Sequence, residues 1–131
     1  MIVVDASVVV DLLLARTPWA TTIEARLQSE TGIAAPHLLD AEVGQVLRRF
    51  VRAGELTATR AMGALDDLAA LPIERFPHTP LLREAFALRD NVTFYDAVYL
   101  VLAEALDAPF LTRDRALVGV RRTRARVECI D

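Results

Sequence analysis

Four acidic residues, Asp5, Glu42, Asp96 and Asp114, are candidates for a catalytic site. Two of them follow predicted strands. Asp5 ends a short apolar run containing Val3 and Val4, which is typical of a buried strand in a parallel sheet. Asp114 lies just beyond another predicted strand, over residues 109–112. Ligands bind outside the carboxyl ends of parallel strands, so both acids are predicted at the functional edge of the sheet.

The other two acids lie on predicted helices. Asp96 is in the first turn of a strongly apolar helix over residues 94–106, which leaves it little polar surface. Glu42 is at the margin of the apolar stripe of a helix over residues 38–53. Partial burial of a carboxylate in a hydrophobic core costs free energy unless a cation pairs with it. Both positions therefore require a charged partner or a function.

Each acid also has an ordinary structural interpretation. Asp5 and Asp114 could cap the turns that follow them, since acids are favoured at helix starts. Asp96 fits the acidic variant of a capping box that begins at Thr93. Glu42 could pair with an arginine of its own helix, although separations of six and seven residues suit this poorly.

Taken together, the four acids predict a metal site. Several negative charges in one cleft would drive at least one carboxylate towards protonation unless a cation offset them. Mg²⁺ and Mn²⁺ take oxygen ligands, keep several waters and need only one or two direct carboxylates. Such an ion activates water and offsets the charge on a phosphodiester. Carboxylate donors without histidine therefore favour phosphoryl chemistry over zinc-type peptide hydrolysis.

The composition argues against several other chemistries and against export. All 15 basic residues are arginine. The chain therefore has no lysine. This argues against P-loop nucleotide hydrolases, Schiff-base enzymes and receiver-type phosphorelay domains, each of which needs one. Two histidines, His37 and His78, with the single Cys129 argue against a zinc site of the His/Cys type. The apolar first 14 residues contain two aspartates and no basic stretch, so we expect a cytoplasmic protein with no membrane association.

Strands that alternate with helices must position these residues. At 131 residues and 53% hydrophobic content, the chain has room for one domain with a substantial core, over residues 1–131. Strands are predicted at 3–4, 32–35, 73–76, 109–112 and 126–130, and helices at 7–14, 17–28, 38–53, 57–71, 80–89 and 94–106. Thr17 is the predicted N-cap of the second helix, and Gly54 ends the third. This alternation predicts a three-layer α/β architecture with a mostly parallel sheet.

Four stretches of the sequence carry a more specific pattern. They are Ile-Val-Val-Asp-Ala-Ser-Val at 2–8, the segment 36–43 with Glu42, Tyr-Asp-Ala-Val-Tyr-Leu at 95–100, and Leu-Thr-Arg-Asp-Arg-Ala-Leu at 111–117. In order and spacing they resemble the PIN-domain ribonucleases, and within them the VapC-type toxins of bacterial toxin–antitoxin pairs. The resemblance spans almost the whole chain. It implies a three-layer α/β/α PIN-like fold and a Mg²⁺-dependent endoribonuclease that hydrolyses RNA phosphodiester bonds, with Mn²⁺ able to substitute.

The resemblance also implies roles for the four acids as one catalytic metal site. Asp5 and Asp96 match the positions that ligate Mg²⁺ most directly. Glu42 and Asp114 match positions that complete the site, partly through water.

Further expectations concern hydroxyl groups and partners. Ser7 and Thr112 match positions that orient the ligands or the scissile phosphate. The resemblance implies a homodimer that is silenced by a cognate VapB-like antitoxin encoded beside it. The tail of the antitoxin would cover the acidic cleft, and an antitoxin arginine there could compete with the metal.

The charge is unevenly distributed for a protein expected to bind RNA. The whole chain carries a net charge of −3, but residues 109–131 hold six arginines against three acids, a net charge of +3. Arg113 and Arg115, beside Asp114, are therefore candidates for contact with the RNA backbone. The alternative is that these arginines only pair with surface acids.

Several remaining residues are expected to be structural. Asp11, like Asp40, Asp66 and Asp67, is expected to be solvated or to cap a helix. Tyr95 and Tyr99, four residues apart, are expected in the core, with a position flanking the cleft as the alternative. Trp19 could belong to the core or to a dimer or antitoxin surface.

Three other functions are alternatives to a toxin ribonuclease. A phosphatase with an aspartyl nucleophile would need a second acid where Ser7 stands and a later lysine, and both are missing. A non-catalytic domain could use its acidic cleft only to bind a basic partner peptide. An RNA-processing PIN nuclease could act without an antitoxin.

Overall fold

The computed structural model describes all 131 residues and alternates five strands with six helices. The strands are β1 Ile2–Val4, β2 Ile33–Pro36, β3 Ile73–Phe76, β4 Phe110–Thr112 and β5 Val127–Cys129. The helices are α1 Ala6–Leu13, α2 Trp19–Gln28, α3 Leu38–Arg52, α4 Ala58–Ala70, α5 Leu82–Ala87 and α6 Phe94–Leu106. Short 3₁₀ helices at Thr79–Leu81 and Arg115–Leu117 complete the set. Every predicted strand and helix is present to within a few residues.

The five strands form one parallel sheet in the order β3-β2-β1-β4-β5. The strand β1 lies at the centre, where Val3 pairs with Ala34 of β2 on one side and Phe110 of β4 on the other. The chain builds one half of the sheet outwards through β2 and β3, then returns to the other side of β1 for β4 and β5. The boundary between β1 and β4 is therefore the topological switch point, where ligands bind in open α/β sheets.

Helices cover both faces of the sheet, so the protein has two hydrophobic cores. On one face Ile2 and Val4 pack with residues of α1, α2, α3 and α4. On the other face Val3 packs with α5 and α6. The alternation of neighbouring residues between the two faces is what a strand imposes, and burial on both faces explains the continuously apolar β1. The predicted three-layer α/β architecture is confirmed.

Side-chain caps begin three of the helices. Asp5, Thr57 and Thr93 have extended backbone conformations, and each side chain accepts an N–H of the first helical turn. The prediction for α2 was wrong, because this helix begins at Trp19 without a side-chain cap from Thr17. The Ala20 N–H is satisfied instead by the carbonyl oxygen of Arg16, at 2.8 Å.

The end of α3 follows the prediction. Gly54 comes directly after the C-cap residue and has a φ of +76°, a left-handed conformation that costs glycine little. None of the six helices has the length and apolar character needed to cross a bilayer.

Candidate active site

The predicted site residues lie around the carboxyl ends of the two strands at the switch point. Asp5 directly follows β1, Thr112 is the last residue of β4, and Asp114 comes two residues later. Glu42 is on α3, and Asp96 is in the first turn of α6. The fold therefore brings together segments from the beginning, the middle and the end of the chain.

Asp5 is held by hydrogen bonds from three directions. The Ser7 hydroxyl donates to Oδ1 at 2.5 Å, the Thr112 hydroxyl donates to Oδ2 at 2.5 Å, and the Val8 N–H donates to Oδ1 at 3.2 Å. Burial raises the pKa of Asp5, these hydrogen bonds oppose the rise, and the charge of Asp96 adds to it. Asp5 therefore has a fixed orientation and negative charge that the protein only partly compensates.

Glu42 is oriented by a buried tyrosine. The Tyr99 hydroxyl donates to Glu42 Oε1 at 2.7 Å. The Tyr99 ring is 1% exposed and stacks on Phe110, with ring centroids 5.7 Å apart. Burial raises the pKa of Glu42, and the charges of Asp5 and Asp96 raise it further against the Tyr99 hydrogen bond. Burial and the neighbouring Glu42 charge also raise the pKa of Tyr99, so its hydroxyl remains a proton donor.

Asp96 and Asp114 complete the acidic region. Burial raises the pKa of Asp96, the hydrogen bond with Thr93 opposes this, and the charge of Asp114 adds to the rise. Asp114 is exposed, and its Oδ1 accepts the Ala116 N–H at 2.9 Å. Its own N–H donates to the Thr112 hydroxyl oxygen at 3.0 Å. Asp114 is thereby linked through Thr112 to Asp5.

Capping does not use up the hydrogen-bonding capacity of these acids. Asp5 and Asp114 each cap the turn that follows, and Thr93 caps α6 by accepting the Asp96 N–H on its hydroxyl oxygen at 3.2 Å. The alternative interpretation as caps is therefore correct for Asp5 and Asp114, whereas Asp96 contributes its backbone N–H to the cap and leaves its carboxylate free of this bond. A carboxylate has about four acceptor positions, so a cap does not exhaust it.

The four acids have no cationic partner. Other acids of the chain, such as Asp11, Glu30 and Glu128, form ion pairs with arginines or the N-terminus, but the four site acids form none. No three His, Cys, Asp or Glu side chains lie close enough together to form a ready-made metal site. Metal ligation by the four acids therefore stays a prediction. Their donor chemistry fits a hard divalent cation, because three partly buried carboxylates with raised pKa values lack any other counter-charge.

Arg113 and Arg115, the two arginines predicted to contact RNA, differ in their surroundings. Arg113 points inwards, with Nη1 2.9 Å from Asp11 Oδ2 and its guanidinium 3.8 Å from the centroid of the Trp19 ring. Arg115 is exposed and pairs with Asp131. The alternative interpretation, pairing with acids of the chain, thus holds for both side chains. Their contact with an RNA backbone stays a prediction.

Two predictions about neighbouring residues were wrong. Asp11 is 2% exposed rather than solvated, because Arg113 and Arg16 neutralise it inside the fold. Tyr95 is 62% exposed rather than in the core, because it lies in the first turn of α6. Tyr99 is in the core as expected, but its hydrogen bond to Glu42 was missed. Tyr99 lies three residues after Asp96 on α6, and this helical spacing was the one sequence signal that placed its hydroxyl near the acidic site.

The raised acid pKa values predict an unusual pH dependence in metal-free protein. A folded-state pKa above the unfolded value means that the folded state binds more protons between the two values. The contribution of Glu42 to stability therefore falls as the pH rises from about 4 through its raised pKa. The thermal midpoint of Glu42→Gln in EDTA, relative to wild type, should increase between pH 4 and pH 8. A difference independent of pH would contradict this, and Glu24→Gln provides the surface control.

Comparison with known proteins agrees with the resemblance inferred from the sequence. The PIN domain family model matches residues 2–122. Ribonuclease VapC1 of Mycobacterium tuberculosis is 50% identical over 118 residues, which are 89% of this chain and 88% of that protein. The crystal structure of PAE2754 from Pyrobaculum aerophilum is 26% identical, has a TM-score of 0.69, and covers 96% of this chain and 81% of its own.

A further solved structure agrees in fold alone. A toxin–antitoxin complex from Klebsiella pneumoniae contains a chain that is 16% identical, with a TM-score of 0.60 and coverage of 91% of this chain and 92% of its own. Together with the matched family model and the 50% identical relative, the parallel sheet and its switch-point acids lead to one assignment. The chain belongs to the PIN-domain family and, within it, to the VapC ribonucleases.

Proposed function

We propose that this chain, as one PIN-like domain over residues 1–131, is a cytoplasmic Mg²⁺-dependent endoribonuclease and the toxin of a type II toxin–antitoxin pair. The observation that carries the proposal is the group of partly buried, mutually repelling carboxylates of Asp5, Glu42 and Asp96, which no arginine neutralises. PIN-domain ribonucleases are generally dependent on divalent metals, which is consistent with this donor set. When bound, the metal would lower the pKa of a coordinated water and offset charge on the phosphodiester.

The surrounding residues would divide the work of holding the metal. Asp5 and Asp96 would supply the direct carboxylates, with Glu42 and Asp114 completing the site, partly through water. The hydroxyls of Ser7 and Thr112 fix both oxygens of Asp5, and the Tyr99 hydroxyl fixes Glu42. Such supporting hydrogen bonds orient metal ligands and tune their affinity.

The substrate and the antitoxin would approach the same acidic edge. For RNA, the candidate contact at this edge is Arg115, which is exposed and directly follows Asp114. Arginine both binds phosphates and stacks on bases. A cognate VapB-like antitoxin would insert an arginine among the carboxylates and displace the metal.

A homodimer is also part of the proposal, and one apolar surface is available for it. Leu82, Phe86 and Phe94 are exposed beside Arg83 and line a groove of about 570 Å³. Exposed apolar patches on otherwise polar surfaces mark association sites. We expect Phe86→Asp, which places a charge in this patch, to sediment as a monomer where the wild type sediments as a dimer. A wild-type monomer, or a dimeric Phe86→Asp, would contradict this surface.

Titration with Mn²⁺ tests the metal site without knowledge of the RNA target. The antitoxin-free wild type should bind Mn²⁺ in a calorimeter, and Asp96→Asn should lose binding or weaken it by at least about tenfold, because a direct carboxylate is removed. Asp66→Asn, an exposed position on α4, is the matched control and should bind as the wild type does. Equal binding by wild type and Asp96→Asn would return Asp96 to a capping role. No binding by either would favour the non-catalytic domain that binds a basic peptide.

A further inference from the structure

Asp11 is a charged residue that the proposed chemistry does not use, yet it lies deep in the fold. It is on α1 and 2% exposed, among side chains of the first hydrophobic core. Its two oxygens face arginines, with Oδ2 at 2.9 Å from Arg113 Nη1 and Oδ1 at 3.5 Å from Arg16 Nη1. Removing a charge from water costs free energy that its ion pairs do not always recover, so Asp11 is a candidate for a role beyond stabilising the fold.

The Arg113 side chain is held from two sides by α1 and α2. Asp11 pairs with one end of the guanidinium, and the Trp19 ring lies 3.8 Å from its central carbon. Its Nε is buried and has no hydrogen-bond partner. An unmade buried hydrogen bond is unfavourable, so the charge of Asp11 and the face of Trp19, rather than full hydrogen bonding, hold this side chain. We name Asp11, Trp19 and Arg113 the arginine clamp.

The backbone of Arg113 is bonded to the acidic site. Its N–H donates to Ser7 Oγ at 3.0 Å, and Ser7 in turn donates to Asp5 at 2.5 Å. Arg113 is also the residue between Thr112, which donates to Asp5, and Asp114. The side chain of Arg113 thus anchors the segment that carries two site residues, and Asp11 and Trp19 determine where that anchor lies.

We infer that Asp11 and Trp19 are positioning residues for the metal site, acting through Arg113 on the segment 112–114. The inference rests on the proposed function. The clamp would hold Thr112 and Asp114 at the distance from Asp5 that the metal requires. Outer contacts of this kind typically alter metal affinity 10–100-fold when they are removed.

The test compares Mn²⁺ affinity in matched variants of the full chain. Asp11→Asn keeps the shape of the side chain and removes its charge, and we expect Mn²⁺ binding by calorimetry to weaken about tenfold. Glu128→Gln is the control, since it breaks the Arg26–Glu128 pair, which joins α2 to β5 with no bond to Asp5. It should leave Mn²⁺ affinity unchanged. Amide exchange of residues 112–117 in metal-free protein should accelerate in Asp11→Asn and not in the control.

A second set of variants separates positioning from general weakening of the fold. The double variant Asp11→Asn/Arg113→Gln should bind Mn²⁺ no more weakly than Arg113→Gln alone, since both residues act through one contact. Trp19→Leu keeps both members of the Asp11–Arg113 ion pair and an apolar side chain against the core, removes the ring that Arg113 and Arg16 face, and should weaken Mn²⁺ binding about threefold. This variant carries the test if Asp11→Asn does not fold.

The outcomes distinguish this inference from the function on which it rests. Absence of Mn²⁺ binding by the wild type would overturn both. If the wild type binds and Asp11→Asn and Trp19→Leu bind equally well, the positioning role alone is overturned. The same holds if Glu128→Gln weakens Mn²⁺ binding as much as Asp11→Asn does, because loss of metal affinity would then follow any broken ion pair of α2 or the sheet.

Discussion

Asp5→Asn is expected to reduce RNA cleavage by about 10³-fold or more, because a metal ligand contributes several kcal/mol of transition-state stabilisation and each 1.36 kcal/mol corresponds to tenfold in rate. The asparagine oxygen can still accept the Val8 N–H, so the start of α1 is preserved. What is lost is the negative charge between Ser7 and Thr112, together with the second acceptor oxygen, since the amide nitrogen that replaces it cannot accept the Thr112 hydroxyl. We expect expression of the wild type to arrest growth of a bacterial host and Asp5→Asn to permit it, with mapping of RNA 5′ ends as the direct measure.

Thermal melts show whether such a loss is chemical or structural. Burial and Asp96 raise the pKa of Asp5, so the ionised carboxylate disfavours the metal-free fold, and Asp5→Asn should melt no lower than wild type in EDTA. Mn²⁺ should raise the melting temperature of the wild type and not that of the variant. Retained cleavage by Asp5→Asn would contradict its catalytic role. A lower melting temperature in EDTA would assign its effect to folding.

Arg113→Ala is expected to have the largest effect on stability, a loss of about 3 kcal/mol. Removal of one partner of a buried ion pair costs roughly 3–5 kcal/mol, because the other charge stays buried and uncompensated. Asp11 retains Arg16 at 3.5 Å, which favours the lower end of this range. For a domain of this size the melting temperature should fall by about 10 °C, measured by calorimetry or circular dichroism.

Arg115→Ala is the matched control for this measurement. Arg115 is two residues further along the chain and pairs with Asp131, but both side chains are exposed. Exposed pairs contribute between 0 and about 1 kcal/mol, so we expect this variant to melt within about 3 °C of wild type. Equal melting temperatures for the two variants would mean that the buried pair with Asp11 adds nothing to the stability of the fold.

The sequence was sufficient for the architecture because the relevant signals are local. The apolar run before Asp5, the Thr93 cap and Gly54 each specify an element boundary within a few residues. Their alternation then leaves few alternatives to a parallel sheet. The placement of Asp5 at the sheet edge follows from that alternation, since the end of a parallel strand is also the edge of the sheet.

Local sequence patterns did not predict the contacts between distant parts of the chain. Asp11 is buried because it pairs with Arg113, which is 102 positions away in the sequence. The residues around Asp11 give no sign of this partner. Tyr95 and Tyr99 are on one helix with the same spacing as core residues, yet only Tyr99 reaches the sheet while Tyr95 lies in the exposed first turn. Binding of one ion by all four acids depends on distances between carboxylate oxygens to within a few ångströms, and the spacing of residues in a sequence does not specify these distances.

The central position of β1 also bears on the stage of synthesis at which the acidic site can form. The strand β1 is synthesised long before its neighbour β4, and the bond between Thr112 and Asp5 joins residues 107 positions apart. Pairings of such long range form late, because the entropy of closing the loop must be overcome first. A nascent chain that ends before Thr112 therefore has Asp5 but only half of its support. Assembly of the proposed site therefore waits until Thr112 has been synthesised and β4 has paired with β1.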